Sequence, residues 1–122
     1  MQRNETGGVV HLELHTGDHT AAASFYRLLL GWPTARVQSA AGSYLALDIG
    51  PAIGGGIVEC GTERPLWLPY VAVDDIHRST AAARTLGAMV TLAPREGPAG
   101  WRSVVSVPSG GELALWQAKG SR

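Results

Sequence analysis

The chain has 122 residues, 45% of them hydrophobic and 16% charged, with ten basic and ten acidic side chains that cancel. That size and apolar fraction fit one compact domain that buries a core without disulfides or a structural metal, and they exclude a disordered chain. Zero formal net charge gives no electrostatic reason to expect nucleic acid or an anionic membrane as partner, and no apolar run reaches the roughly 18 residues of a membrane span.

In chain order, Val9 to His15 alternates strictly, with Val10, Leu12 and Leu14 on one face and His11, Glu13 and His15 on the other, which predicts a half-buried strand. Thr16-Gly17-Asp18 is a turn ending in an N-cap, so Asp18 reads as a helix cap rather than a catalytic acid. A helix is predicted over His19 to Leu30, where Ala22, Phe25, Tyr26, Leu29 and Leu30 recur at helical spacing and Gly31 supplies the stop. Three extended pieces follow, Ala35 to Ser39, Ser43 to Ile49 and Ile53 to Val58, separated by the Ala40-Ala41-Gly42 turn and the Gly50-Pro51 break. The polar stretch Glu59 to Pro65 then connects to a second series. Leu66 to Val73 is extended, Asp74-Asp75 caps a helix over Ile76 to Leu86, and Gly87 stops it. Strands are predicted at Ala88 to Ala93, Trp101 to Val107 and Glu112 to Gln117, with a loop over Pro94 to Gly100 and a tight turn over Pro108 to Gly111.

The second half therefore repeats the first: strand, helix, three strands, with His11 set against Leu68. The expected fold is α+β, a single domain over 9–118 made of two tandem βαβββ modules, 9–59 and 66–118. Their strands are expected to form a curved mixed sheet around a cleft, with the helices outside. A concave surface carrying a few polar groups is the default ligand site. The side chains expected to line it are His11, Glu13, His15, Leu68, Tyr70, Glu112, Ala114 and Trp116, with Trp101 closing one rim and Trp32 and Trp67 in the core or an interface.

At these residues the chain resembles the vicinal oxygen chelate superfamily, which holds glyoxalase I, bleomycin-resistance proteins, fosfomycin-resistance enzymes and extradiol dioxygenases. The resemblance rests on the run from His11 to Asp18 (His-Leu-Glu-Leu-His-Thr-Gly-Asp), on Ser24-Phe25-Tyr26 and on Leu30-Gly31-Trp32. It continues in Val71 to Asp75, in Leu86-Gly87-Ala88 and in Val107 to Glu112, and it covers about Val9 to Gln117. Metal-dependent members are implied to place one His, Gln or Glu on each of four strands. By that resemblance His11 stands at the first ligand position, but Leu68 and Ala114 stand at two others. The Gly54-Gly55-Gly56 strand offers no donor, with Glu59 reachable only by a register shift. No metal and no cofactor are therefore expected, with a displaced His11/Glu13/Glu112 site as the alternative. The glycine run lacks the Lys-Ser/Thr of a phosphate loop and is expected to make room for a ligand or a partner chain.

Three functions remain. The leading expectation is a metal-free, bleomycin-resistance-like homodimer that sequesters a hydrophobic or aromatic compound, Tyr70, Trp116 and Trp101 supplying flat contact area. The alternative is a metal-independent isomerase, cyclase or lyase in which His11 and Glu13 act as catalytic acid and base. The third is a glyoxalase-like metal-dependent lyase or dioxygenase with shifted ligands. His15 and His19, near a strand end and a helix start, and His77 are expected to be solvated. The polar start from Met1 to Gly8 has no signal-peptide core, and the lone Cys60 has no partner for a disulfide, which together point to a reducing cytoplasm.

Overall fold

A computed structural model describes residues 7–39, 42–61 and 65–120. Its elements are β1 (Val9–Thr16), α1 (His19–Leu30), β2 (Thr34–Ser39), β3 (Gly42–Leu47), β4 (Gly54–Glu59), β5 (Leu66–Ala72), α2 (Ile76–Thr85), β6 (Met89–Glu96), β7 (Gly100–Ser106) and β8 (Glu112–Ala118). The α+β reading and the duplication both hold. The expected turn residues Ala40 and Ala41 and the middle of the Glu59 to Pro65 connection lie outside the described residues. Among the described residues no helix is long and apolar enough to cross a membrane.

Backbone packing divides the chain into two compact units. One runs from His11 to Leu68; the other joins residues 69–120 to residues 7–10. The N-terminal segment belongs with the second unit because Gly7 N–H donates to the Ala72 carbonyl at 2.7 Å and Ala72 N–H to that of Gly8 at 3.0 Å.

In the N-terminal unit the strand order is β2-β3-β4-β1, β1 and β4 running parallel and the other pairs antiparallel. Parallel neighbours need a crossover, which α1 begins on one face of the sheet. Asp18 opens α1 by accepting from Ala21 N–H at 3.0 Å, and Gly31 closes it at φ 75°, in the left-handed region that favours glycine. Ala22, Ala23 and Tyr26 of α1 pack on Leu14, Leu45, Leu47 and Ile57, together with Trp32, Ile49 and Trp67. The indole N–H of Trp67 donates to the Tyr26 hydroxyl at 3.3 Å, and Trp32 stacks on the Tyr26 ring. Phe25, Leu28, Leu29 and Leu30 point away, 50–75% exposed. Helical spacing grouped Phe25, Leu29 and Leu30 with Tyr26, but α1 is apolar on most of its circumference, so the sheet and not the pattern selects the buried face.

The C-terminal unit repeats the arrangement as β5-β8-β7-β6, with β5 and β8 parallel and the remaining pairs antiparallel. Asp75 caps α2 by accepting from His77 and Arg78 N–H at 3.1 Å, and Leu86 is its C-cap. Buried Ile76 anchors α2, and polar pairs join the helix to the sheet beside it. Buried Thr80 donates to the Ile76 carbonyl at 2.6 Å and its hydroxyl lies 2.8 Å from that of Ser103, while Ile76 N–H donates to Gln117 Oε1 at 2.8 Å. The predicted loop from Pro94 is in fact strand: β6 runs through Pro94 to Glu96, and the loop shrinks to residues 97–99. Proline lacks an N–H, yet β6 ends the strand order of its unit and carries register irregularities on either side of Leu92, two settings that tolerate it.

The Thr80–Ser103 pair yields a test. Thr80→Val keeps the side-chain shape but strands the fully buried Ser103 hydroxyl, so stability should fall by about 1–3 kcal/mol in urea unfolding. Adding Ser103→Ala should recover part of that loss, because both partners are then apolar.

Candidate functional site

Two groups of side chains stand on sheet faces not used by the helices, one in each unit. In the N-terminal unit the two-residue period of β1 sends Leu14 into the core and leaves His11, Glu13 and His15 on the opposite face. Glu13 lies between its neighbours: Oε1 is 2.8 Å from His15 Nε2, and Oε2 is 3.7 Å from His11 Nε2. The three side chains are only 28%, 15% and 26% exposed from His11 to His15, so water screens the carboxylate and imidazoles incompletely. The expectation of a solvated His15 is therefore corrected; its ring is tied to Glu13.

The glycines of β4 flank this group. In parallel register His11 pairs with Gly54 and Glu13 with Gly56, while Gly55 and Ile57 belong with Leu12 and Leu14 on the helix side. A methyl on Gly56 would meet the His11 ring at 3.6 Å, ordinary contact; one on Gly55 would stand 2.6 Å from the Leu47 carbonyl. The run expected to accommodate a ligand or partner thus accommodates this chain's own β3 at Gly55. Glu59 shares the parity of Ile57, away from His11, and its Oε1 lies 2.7 Å from His19 Nδ1. That nitrogen is buried and has no hydrogen-bond partner among the described residues, so the contact is a close approach rather than a directed bond. His19 is consequently paired, not simply solvated.

In the C-terminal unit the face away from α2 carries Tyr70, Ala114, Trp116 and Arg102. Tyr70 pairs with Ala114 across β5 and β8, and Arg102 pairs with Trp116 across β7 and β8. Arg102 Nη1 donates to the Tyr70 hydroxyl at 2.9 Å, and the Tyr70 and Trp116 rings are tilted with centroids 6.1 Å apart. Glu112 stands exposed at the start of β8. Trp101 is one residue out of phase with Arg102, so it falls on the α2 side, where its ring meets that of His77 edge-on at 5.2 Å. This corrects Trp101 as a neighbour of Tyr70 and Trp116; His77 is exposed at the surface, as expected, with that ring contact to Trp101. Arg102 was missed. Its alternation with Trp101 was visible in β7, but the register against β8 that sets it opposite Trp116 was not.

A family profile described as a glyoxalase-like domain matches residues 9–116. The chain belongs to that glyoxalase-like family. Within the vicinal oxygen chelate superfamily, this glyoxalase-like chain is 31% identical over 115 residues to the "Putative glyoxylase CFP32" of Mycobacterium bovis and of Mycobacterium tuberculosis. That match covers 88% of this chain and 44% of each relative, so the chain spans less than half the length of these curated proteins. Among solved structures, a methylmalonyl-CoA epimerase in complex with methylmalonyl-CoA and NH4+ aligns with a TM-score of 0.65 at 17% identity, covering 98% of this chain and 99% of that one. The methylmalonyl-CoA epimerase of Mycobacterium tuberculosis aligns with a TM-score of 0.59 at 16% identity, covering 97% and 93%. At such identities the likeness is one of fold.

The metal that the superfamily implies does not fit the donors of this glyoxalase-like domain. Leu68 and Ala114 are 1% and 0% exposed, hydrocarbon packed into the interior where a ligand atom is needed, and β4 presents glycine. His15 and Glu13 already engage each other. Among the described residues no group of three or more His, Cys, Asp and Glu side chains is arranged to hold a metal ion.

Neighbouring glycines of β4 should respond oppositely to one methyl. Gly55→Ala should cost about 1–3 kcal/mol in chemical denaturation through overpacking against β3. Gly56→Ala should be neutral or stabilising by about 0.5–1 kcal/mol, as expected for replacing glycine within a strand where space exists.

Proposed function

We propose that this glyoxalase-like domain catalyses proton transfer at a carbon next to a carbonyl group, an isomerase reaction run by its own acid–base groups. The observation that carries the reading is the Glu13 carboxylate between two imidazoles on one strand face, at 2.8 and 3.7 Å, beside side-chain-free backbone at Gly54 and Gly56. His11 takes the proton as the C–H bond breaks; the bond's electron pair moves onto the carbonyl as an enolate. The resulting imidazolium faces Glu13, whose negative charge stabilises it, and His15 holds that carboxylate by its hydrogen bond. Return of the proton from the His11 imidazolium to another atom of the enolate, on the same face, gives the isomer. His11 is the catalytic residue; Glu13 and His15 position it. The fold likeness to epimerases, themselves isomerases, supports the same class.

A second reading is sequestration of an aromatic compound, favoured by the Tyr70 and Trp116 rings. Exchange in deuterated water separates the two. Thioesters and ketones with an acidic α-hydrogen are incubated with chelator-treated protein, and loss of that proton signal is followed by NMR. Under the isomerase reading one substrate class exchanges, and His11→Ala slows it by about 10²–10⁴-fold. Glu13→Gln slows it less, and its effect rests in kcat rather than KM. Tight binding with no exchange in any substrate would leave sequestration in its place.

The homodimer expected from the sequence forms part of this proposal, a second copy covering the apolar outer face of α1. Zero net charge opposes association little, and Phe25, Leu28 and Leu29 are 56%, 75% and 62% exposed. Sedimentation should give a dimer that Leu28→Glu converts to a folded monomer. A wild-type monomer would sink this part.

A further inference from the structure

We propose that the sheet face of the C-terminal unit opposite α2 binds a planar anion, its carboxylate or phosphate held by Arg95 and Arg102 and its flat body laid against Trp116. The two arginines are direct partners across β6 and β7 and so project from the same face. Like charges directly opposite one another in a sheet are destabilising, and such pairs are usually relieved by a carboxylate nearby. Among the described residues neither guanidinium has an acidic group within ion-pair distance, although Arg102 is half-buried. The acidic neighbour in sequence, Glu96, is out of phase with Arg95, pairs with Trp101 and forms its ion pair with Lys119 at 3.0 Å. Glu112 shares the face of Trp116 but stands four residues up β8, about 13 Å away at the rise of an extended strand. Among the described residues, the arginine end of the face is therefore a concentration of positive charge lacking its anion.

The rest of the face is built to orient a ligand there. Arg102 spends one N–H on the Tyr70 hydroxyl, which fixes the plane of the guanidinium and leaves its remaining donors for the paired oxygens of a carboxylate or phosphate. Trp116 is the cross-strand partner of Arg102, so indole and guanidinium are neighbours. Gly100 holds the indole in place: a methyl there would stand 2.9 Å from Trp116 Cζ2, so the ring lies over bare backbone of β7. A flat ring beside a fixed fork of donors recognises a planar acid by stacking and paired hydrogen bonds. None of these residues belongs to the His11–Glu13–His15 group, and the inference stands apart from the proton-transfer reading.

Calorimetric titration of the full chain with 2-naphthoate, 2-naphthyl phosphate and the neutral 2-naphthamide tests it. Either acid should bind about tenfold or more tightly than the amide, the usual worth of a hydrogen bond to a charged group, and the tighter acid identifies the anionic group. Arg95→Gln, at an exposed position where folding is not at risk, and Arg102→Lys, which keeps charge but loses the fork, should each weaken the acid about tenfold and leave the amide unchanged. Equal affinity for acid and amide, acid binding indifferent to both substitutions, or no binding of any probe would overturn the proposal.

Discussion

In each module the first strand pairs parallel with the last, and most of what the domain displays follows from that pairing. A chain that pairs successive strands as hairpins needs no crossover; one that lays β4 beside β1 in the same direction must pass over the sheet, and the helix makes that passage on one side. Once α1 covers a face, the two-residue period of a strand assigns every side chain of β1 either to the helix or away from it. Leu14 goes to the core with Ile57, while His11, Glu13 and His15 are kept together on the other face. A slip of one residue would bury three polar side chains under α1 and expose the leucines, so the hydrophobic pattern and the polar group protect each other. The same logic in β5 and β8 keeps Tyr70, Ala114 and Trp116 in phase.

Side chains of one type take different tasks according to that phase. Of the four tryptophans, Trp32 and Trp67 complete the apolar cluster around Tyr26, Trp101 meets α2 through His77, and Trp116 alone among them shares the Arg102 face. The three consecutive glycines of β4 divide likewise. Gly55 is demanded by the close approach of the Leu47 carbonyl, whereas Gly54 and Gly56 flank the polar group of β1. Reading the run as one motif hides two separate reasons for it.

The donor set implied by the superfamily and the side chains of this chain part at two buried positions. Leucine at 68 and alanine at 114 turn places suited to metal ligands into ordinary packing, and burial at 1% and 0% leaves no room for a donor to be recruited there. What the N-terminal unit presents on that strand face is a carboxylate between two imidazoles, the group on which the proposed proton transfer rests.

Element order, both helix caps, the duplication and the polar group of β1 were legible in the sequence, because each depends on short-range chemistry. Asp18 and Asp75 cap through bonds to residues two or three positions on, and alternation over a single strand suffices to group His11, Glu13 and His15. Three features were not legible, and each depends on residues distant in the chain. The buried side of α1 was decided by the sheet beneath it, since Phe25 and Leu29 are as apolar as Tyr26 and yet stay exposed. The continuation of β6 through Pro94 required a position at the end of a strand order and an irregular register, neither of which local composition encodes. The placing of Arg102 against Tyr70 and Trp116, with Arg95 beside it, came from pairing registers among β5, β6, β7 and β8. Sequence alone determines which way a side chain alternates along its own strand; only the tertiary structure decides what stands across from it, because register is set by the summed burial of whole strands.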